Sequence, residues 1–188
     1  ILGKSSLERC VKELCNYSID DILITTGYKS ELFIKFVDEL KAKYQINIHT
    51  YVESEPLGEC GALWKIKNEL ADEFIFINGD LIFSIDFYRL IAFHKRLSSN
   101  LTLVTHTSDH PEDSDLVSAP NGTLVENIHI KGSSEIKDKN KNAYLGNSGI
   151  CVINKKMLKK ITPPNPEDSK SVFHYISHLG NLSIFFIN

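Results

Sequence analysis

No apolar run in this 188-residue chain approaches the roughly twenty residues a membrane-crossing helix needs. The opening residues do not read as a signal peptide either. An excess of one charge is also lacking: 21 Lys and Arg face 24 Asp and Glu, a net charge of -3. That balance excludes broad attraction to nucleic acid or acidic membranes, and leaves only small basic clusters to hold phosphate. The four cysteines (Cys10, Cys15, Cys60, Cys151) show no C-x-x-C spacing. They read as reduced thiols of a cytoplasmic protein rather than as a disulfide framework or a zinc site. No G-x-G-x-x-G follows the first strand, which argues against a dinucleotide-dependent dehydrogenase. There is no internal repeat and no low-complexity tract. What remains is 42% hydrophobic and 24% charged residues, ordinary for one soluble domain with a good core.

The periodicities alternate between strand and helix. Ser5 and Glu8 have capping-box spacing ahead of Leu7, Cys10, Val11, Leu14 and Cys15 on one helical face. Asp21 to Thr26 reads as a strand. Ser30 is placed to cap a helix carrying Leu32, Phe33, Phe36, Val37 and Leu40, and Ile46 to Val52 reads as a strand. A helix is predicted from Gly58 to Leu70, a strand over Phe74 to Ile77, a helix opened by Ser84 and running to Leu97, and a strand over Leu101 to Thr105. This alternation predicts an α/β fold with a parallel sheet and helices on both faces, three layers in all. Beyond His106 the pattern becomes more antiparallel. Pro120-Asn121-Gly122 marks a hairpin turn, 133–142 an exposed loop, and Tyr144 to Ile153 a strand interrupted by Gly146 and Gly149. A short helix with Met157, Leu158 and Ile161, a last helix from Ser169 or Ser171, and a strand from Ser183 to Ile187 complete the chain. One domain spanning 1–188 is the simplest organisation.

The chemistry concentrates between Tyr51 and Phe83, where a turn opens a helix and a buried strand stops at Asn78-Gly79-Asp80. Gly58 and Gly61 let backbone approach a flat or phosphorylated ligand, and a helix N-terminus offers N–H groups to an anion. Asp80 lies just past the carboxyl end of its strand, the edge where open α/β sheets bind ligands. A carboxylate there suits Mg²⁺, which takes one or two carboxylates plus substrate phosphates. Taken alone, Pro56-Leu57-Gly58 reads as a plain turn and Asn-Gly-Asp as a strand end. Together they point to a nucleotide-phosphate site.

This stretch resembles the core of the sugar-phosphate nucleotidyltransferases, which carry E-x-x-P-L-G-T-A-G-A-L and then a hydrophobic strand ending in Gly-Asp. Here stand Glu53, Glu55-Pro56-Leu57-Gly58, then Glu59 and Cys60 where Thr and Ala are usual, then Gly61-Ala62-Leu63. His106 to Val117 (HTSDHPEDSDLV) is similar to a run in nucleotidyltransferases of the heptose 1-phosphate type, some fused to a phosphatase domain. The resemblance extends along nearly the whole chain. It implies a Rossmann-like nucleotide-diphospho-sugar transferase fold and transfer of a nucleoside monophosphate from an NTP to a sugar 1-phosphate, with Mg²⁺ and release of pyrophosphate. A heptose or mannose phosphate with GTP, in making activated sugars for polysaccharide, is the first expectation.

By resemblance, Asp80 is the metal-holding catalytic residue. Glu53, Pro56, Leu57, Gly58, Gly61 and Gly79 line the nucleotide, and Lys131, Gly146, Asn147, Asp113 and Asp115 the sugar phosphate. Lys131 matches the lysine of the family's E-K-P motif, although Ile130 and Gly132 replace its neighbours. Gly146-Asn147-Ser148-Gly149-Ile150 is similar to the family's V-N-A-G-I. The plainer readings are an exposed lysine and a bulged strand. Glu59 is a departure, since a carboxylate there would repel phosphate. The family's Gly-rich loop and second metal carboxylate are expected beyond the two ends, so the chain reads as a fragment of an enzyme, alone or as a homo-oligomer. The rival is a non-catalytic subunit of the same fold that binds nucleotide sugar. His94 is expected to be a surface or half-buried residue with no catalytic task, and Trp64 to lie in the core.

Overall fold

In the computed structural model, residues 3–107, 115–131, 144–160 and 182–187 are described, without the side chains of 58–60 and 160. The chain divides into two compact units. Among the described residues, the first holds 3–68 and 79–84 and the second all the others.

The first unit is built on helix α1 (Ser6–Asn16), strand β1 (Asp21–Thr26), helix α2 (Ser30–Tyr44), strand β2 (Asn47–Val52) and helix α3 (Gly58–Lys65). Ser5 caps α1 by accepting from the Glu8 N–H at 3.1 Å, satisfying one of the donors a helix start leaves open. Strands β1 and β2 pair in parallel from Asp21↔Asn47 to Thr26↔Val52. Both helices press apolar stripes onto this pair: Val11, Val37, Leu40 and Ile48 are buried together, with Leu7, Ile22, Ile24, Phe33 and Phe36 packed around them. Each such fully buried aliphatic side chain contributes about 1.5–3 kcal/mol. Beside this core, Glu8 of α1 accepts from Lys43 Nζ at 2.8 Å and from the Tyr44 hydroxyl at 3.1 Å, both on α2. Lys4 Nζ stands 3.5 Å from the same carboxylate. These cations and the Lys43 bond above all hold the Glu8 carboxyl below its ordinary range, against the opposing effect of desolvation.

Ser30 does not cap α2. It is the first helical residue, and Lys29 precedes it in the left-handed region (φ 58°) with no side-chain cap. Helix α3 stops at Lys65, short of the predicted Leu70, and Trp64 is only half-buried, with Lys67 Nζ 3.9 Å over its ring centroid.

The second unit contains strand β3 (Glu73–Ile77), helix α4 (Phe87–Leu97), strands β4 (Leu101–His106), β5 (Leu116–Ser118), β6 (Asn127–His129) and β7 (Leu145–Asn154), a 3₁₀ turn (Lys155–Lys160) and strand β8 (Leu182–Phe186). The sheet order is β6-β5-β7-β4-β8, with β3 beside Ile150–Asn154 on the same edge of β7 as β5. Strand β7 runs antiparallel to β3, β4 and β5, whereas β4 and β8 pair in parallel. Strands β3 and β4 therefore share a direction, as the βαβ alternation around α4 predicts, but β7 lies between them. The β5–β6 hairpin forms as expected, its turn closed by the Gly122 N–H on the Ala119 carbonyl at 2.8 Å, with Gly122 at φ 73°. Only glycine adopts that conformation without strain.

Asp86, not Ser84, caps α4, accepting from the Arg89 N–H at 3.0 Å. Phe74 to Ile77 are partly rather than fully buried, and among the described residues β3 has a ladder partner on one edge only. His94 is buried (1% exposed), not superficial, and takes part in a hydrogen-bond chain. Ser99 Oγ donates to Ser183 Oγ at 2.9 Å, Ser183 meets Thr102 Oγ1 at 2.9 Å, and Thr102 Oγ1 meets His94 Nδ1 at 2.8 Å. Leu101, Leu103, Val104, Leu116, Ile150, Cys151, Val152 and Ile184 form the apolar interior of the sheet. The predicted loop at 133–142 and the predicted helix near Ser169 or Ser171 lie outside the described residues.

Candidate active site

The nucleotide-side residues belong to the first unit. The Glu53 N–H donates to the Thr26 carbonyl at 2.8 Å, extending the β1–β2 pair by one bond at its carboxyl end. Its side chain lies over Gly27: a Cβ placed on Gly27 would stand 3.9 Å from Glu53 Oε2. The carboxylate is thus held at the carboxyl edge of two parallel strands, where side chains give way to loops. Pro56 is exposed and Leu57 buried (4%), so the turn is anchored by its leucine. Leu57 caps α3 without a side-chain hydrogen bond, so its own side chain leaves the first N–H groups of the helix unblocked. Gly61, Ala62 and Leu63 are buried within α3, and Gly58 opens it.

Gly79 and Asp80 are both exposed. A Cβ on Gly79 would meet nothing within 4 Å, so the approach to this turn is open. The Ser6 hydroxyl donates to the Gly79 carbonyl at 3.4 Å, fastening the turn to the start of α1. Among the described residues, no group of three His, Cys, Asp or Glu is gathered to hold a metal. Asp80 offers a single exposed carboxylate at this turn. That suits an ion arriving with substrate phosphates and completed by water, and does not suit a closed protein cage.

The sugar-side residues belong to the second unit, and four of the five come together. Asp115 precedes β5, Lys131 follows β6, and Gly146 and Asn147 lie near the start of β7. Leu116 pairs with both His129 and Gly146, which brings the ends of the three strands side by side. Asp115 then engages both neighbours: its carbonyl accepts from the Asn147 N–H at 3.0 Å, and its Oδ1 from the Lys131 N–H at 2.8 Å. Asn147 Oδ1 accepts from the Gly149 N–H at 3.3 Å. Gly149 is at φ 78°, in the left-handed region. Here β7 is bulged: one β4 residue between Leu103 and Thr105 faces three of β7 between Asn147 and Cys151. The bulge and the side-chain amide occur together, so the plainer reading of this segment and the functional one are compatible. Beside it, the buried Thr105 hydroxyl has no hydrogen-bond partner among the described residues. Asp113 lies outside the described residues.

Sequence reasoning missed Ser6, whose hydroxyl reaches the Gly79 carbonyl beside Asp80, and Gly27, which lies beneath the Glu53 side chain. A glycine closing a strand was visible for the second. Nothing local marked the first, whose partner is 73 positions away.

The profile of the family described as Nucleotidyl transferase matches residues 1–182. The mannose-1-phosphate guanyltransferase of Schizosaccharomyces pombe is 29% identical over 168 residues, covering 87% of this chain and 45% of its own length. The mannose-1-phosphate guanyltransferase of Yarrowia lipolytica is 27% identical over 178 residues, with coverages of 93% and 48%. The chain thus spans about half the length of these curated relatives. Among solved structures, HddC from Yersinia pseudotuberculosis complexed with GMP-PN aligns with a TM-score of 0.76 at 24% identity, covering 98% of this chain and 77% of that one. That likeness establishes the mixed α/β Rossmann-like architecture. Among the described residues no helix is long and apolar enough to cross a membrane. With the profile match running through nearly its whole length, the chain belongs to the nucleotidyl transferase family.

Proposed function

We propose that this chain carries the substrate sites of a sugar-1-phosphate nucleotidyltransferase. A phosphate oxygen of the sugar 1-phosphate attacks the α-phosphorus of an NTP. The bond to the β-phosphate breaks, and pyrophosphate leaves as the NDP-sugar forms. No protein nucleophile is required, so the protein's work is positioning and charge stabilisation. Family membership with an unobstructed Asp80, just past the end of β3, carries this reading. Asp80 would hold Mg²⁺, which neutralises phosphate oxygens as charge develops on the leaving group.

Relatives named for guanylyl transfer and a neighbour holding GMP-PN support GTP as the donor. Glu53 fits that base: its two oxygens match the adjacent N1–H and N2–H donors of guanine, whereas adenine offers only one donor at that edge. Leu57, Pro56, Gly58, Gly61 and Gly79 shape the path to the α3 N-terminus. Lys131 takes the sugar phosphate, and Gly146, Asn147 and Asp113 face the sugar, mannose or a heptose. A cytoplasmic setting, with activated sugars made for polysaccharide, is the reading that NTP chemistry and the free thiols of Cys10, Cys15 and Cys151 support. The second reading is a binding subunit without turnover, favoured by Ile130-Lys131-Gly132 where the family has E-K-P.

Pyrophosphate release, measured with Mg²⁺ across the four NTPs and a panel of sugar 1-phosphates, separates the two. Release with GTP and a mannose or heptose phosphate is expected. GTP binding with no release for any pairing overturns the enzyme assignment.

A further inference from the structure

We propose that Asp115 is a positioning residue for the sugar-phosphate site: it fixes Lys131 against the bulged start of β7 and does not itself contact the sugar. The inference rests on the reading that Lys131 takes the phosphate.

The observation is how the three strand ends are tied. The β5–β6 ladder ends at the Leu116↔His129 rung, and Ile130 and Lys131 continue past it. Among the described residues the ladder has no rung past this point. At that point a side chain replaces a backbone rung. Asp115 Oδ1 takes the Lys131 N–H at 2.8 Å, while the Asp115 carbonyl takes the Asn147 N–H at 3.0 Å. One residue thereby ties the lysine to the amide of Asn147, and all three belong to the same compact unit. The short bond is charge-assisted, which makes it stronger than a neutral one.

Charge supports the same assignment. A carboxylate turned toward a dianionic phosphate would oppose binding, as it would for any anionic ligand. Directed at a backbone N–H, the same group organises the lysine's backbone, and the lysine supplies the attraction. His129 and Tyr144 add a second link between β6 and the approach to β7, meeting edge to face with ring centroids 4.9 Å apart. The register there does not depend on Asp115 alone, so the residue sets where Lys131 sits without being needed for the hairpin to form.

The test compares Asp115→Ala, Asp115→Asn, Lys131→Ala and the double variant Asp115→Ala/Lys131→Ala in the full chain. Removing the acceptor raises KM for the sugar 1-phosphate about tenfold, with KM for the NTP unchanged. Asn keeps an acceptor oxygen and restores most of the loss. A residue acting through Lys131 adds nothing once Lys131 is gone, so the double variant matches Lys131→Ala. A residue touching the sugar directly would make the two losses multiply, and that result overturns the proposal. Independently of turnover, the Lys131 amide proton is expected to lose exchange protection and shift upfield in Asp115→Ala but not in Asp115→Asn. An unchanged Lys131 amide overturns the proposal even if activity falls. If Lys131→Ala leaves sugar-phosphate KM unchanged while the amide responds to Asp115→Ala, the tether stands and it is the role given to Lys131 that fails.

Discussion

Thr102→Val removes one oxygen from a site that is 0% exposed while keeping the side chain's shape. That oxygen is the middle link between His94 Nδ1 at 2.8 Å and Ser183 Oγ at 2.9 Å. Ser99 donates to Ser183, so the arrangement that leaves no hydroxyl proton idle runs Ser99 to Ser183 to Thr102 to His94 Nδ1. The ring proton then sits on Nε2, which has no hydrogen-bond partner among the described residues and stands 3.8 Å from Glu73 Oε1. This tautomer is assigned from the network. Valine leaves the Ser183 proton and the His94 Nδ1 lone pair both buried and unmet. Each such group costs about 1–3 kcal/mol. The added methyl returns about 0.8 kcal/mol. A net loss of about 1–5 kcal/mol is expected, a large part of a stability on the order of 5–15 kcal/mol. Hydrogen exchange of the β4 and β8 amides reads the loss in the sheet itself, and urea unfolding checks it as a lower midpoint with unchanged slope. Ser99→Ala, which removes only the terminal donor, is expected to cost about 1 kcal/mol. If Thr102→Val falls within about 0.5 kcal/mol of the parent, as a surface change would, the chain of hydroxyls is not what holds α4 to β4 and β8.

Burial holds the His94 pKa below its ordinary 6.5, Glu73 opposing and Lys95 assisting. The unfolded chain therefore binds the proton first. Stability is whole above pH 6.5, drops as the pH falls from there through the folded pKa, and then levels. His94→Gln is expected to flatten that slope in melts between pH 7.5 and 5. The Glu8 carboxyl, held below its ordinary 4.5 chiefly by Lys43, contributes stability that is present above that value and lost as the pH drops through the folded pKa. Glu8→Gln should lower the melting temperature at neutral pH and shrink the gap to the parent in acid; an equal gap at every pH would exclude the ion pairs as the cause. Asp80→Asn should cut Mg²⁺-dependent pyrophosphate release at least about a hundredfold, with GTP binding in the absence of metal retained, and a loss below tenfold removes Asp80 from the site. Glu53→Gln should reduce the preference for GTP over ATP roughly tenfold in kcat/KM, and an unaltered ratio would place the base elsewhere.

The elements legible in the sequence are those determined by neighbours in the chain. Strand β1 forms at Asp21–Thr26 as its pattern predicts, and the β5–β6 hairpin turns at Pro120-Asn121-Gly122. Ser5 caps α1 as its spacing to Glu8 suggests, yet the reciprocal half of the capping box is absent because Lys43 and Tyr44, far along the chain, claim the Glu8 carboxylate. The same limit accounts for α4, where either Ser84 or Asp86 satisfies the local rule and packing of Phe87 and Leu90 selects the second. His94 looks like any histidine on a polar helix end until Thr102 and Ser183 arrive from two other strands. For the candidate site, Asp80, Glu53 and the Gly146-Asn147 segment were readable as motifs. The use of Asp115 on a backbone N–H was not, because its partner lies across a hairpin.

The interleaving of β7 has a consequence for how the protein is made. Strand β3 is nearly all apolar (Glu-Phe-Ile-Phe-Ile), yet Ile77 meets its ladder partner only once Ile150 has been synthesised. At about 5–20 residues per second, the nascent chain carries that strand unpaired for on the order of four to fifteen seconds. Emerging early and paired late with β7, it is a segment open to a ribosome-bound chaperone, or to a strand from a neighbouring nascent chain.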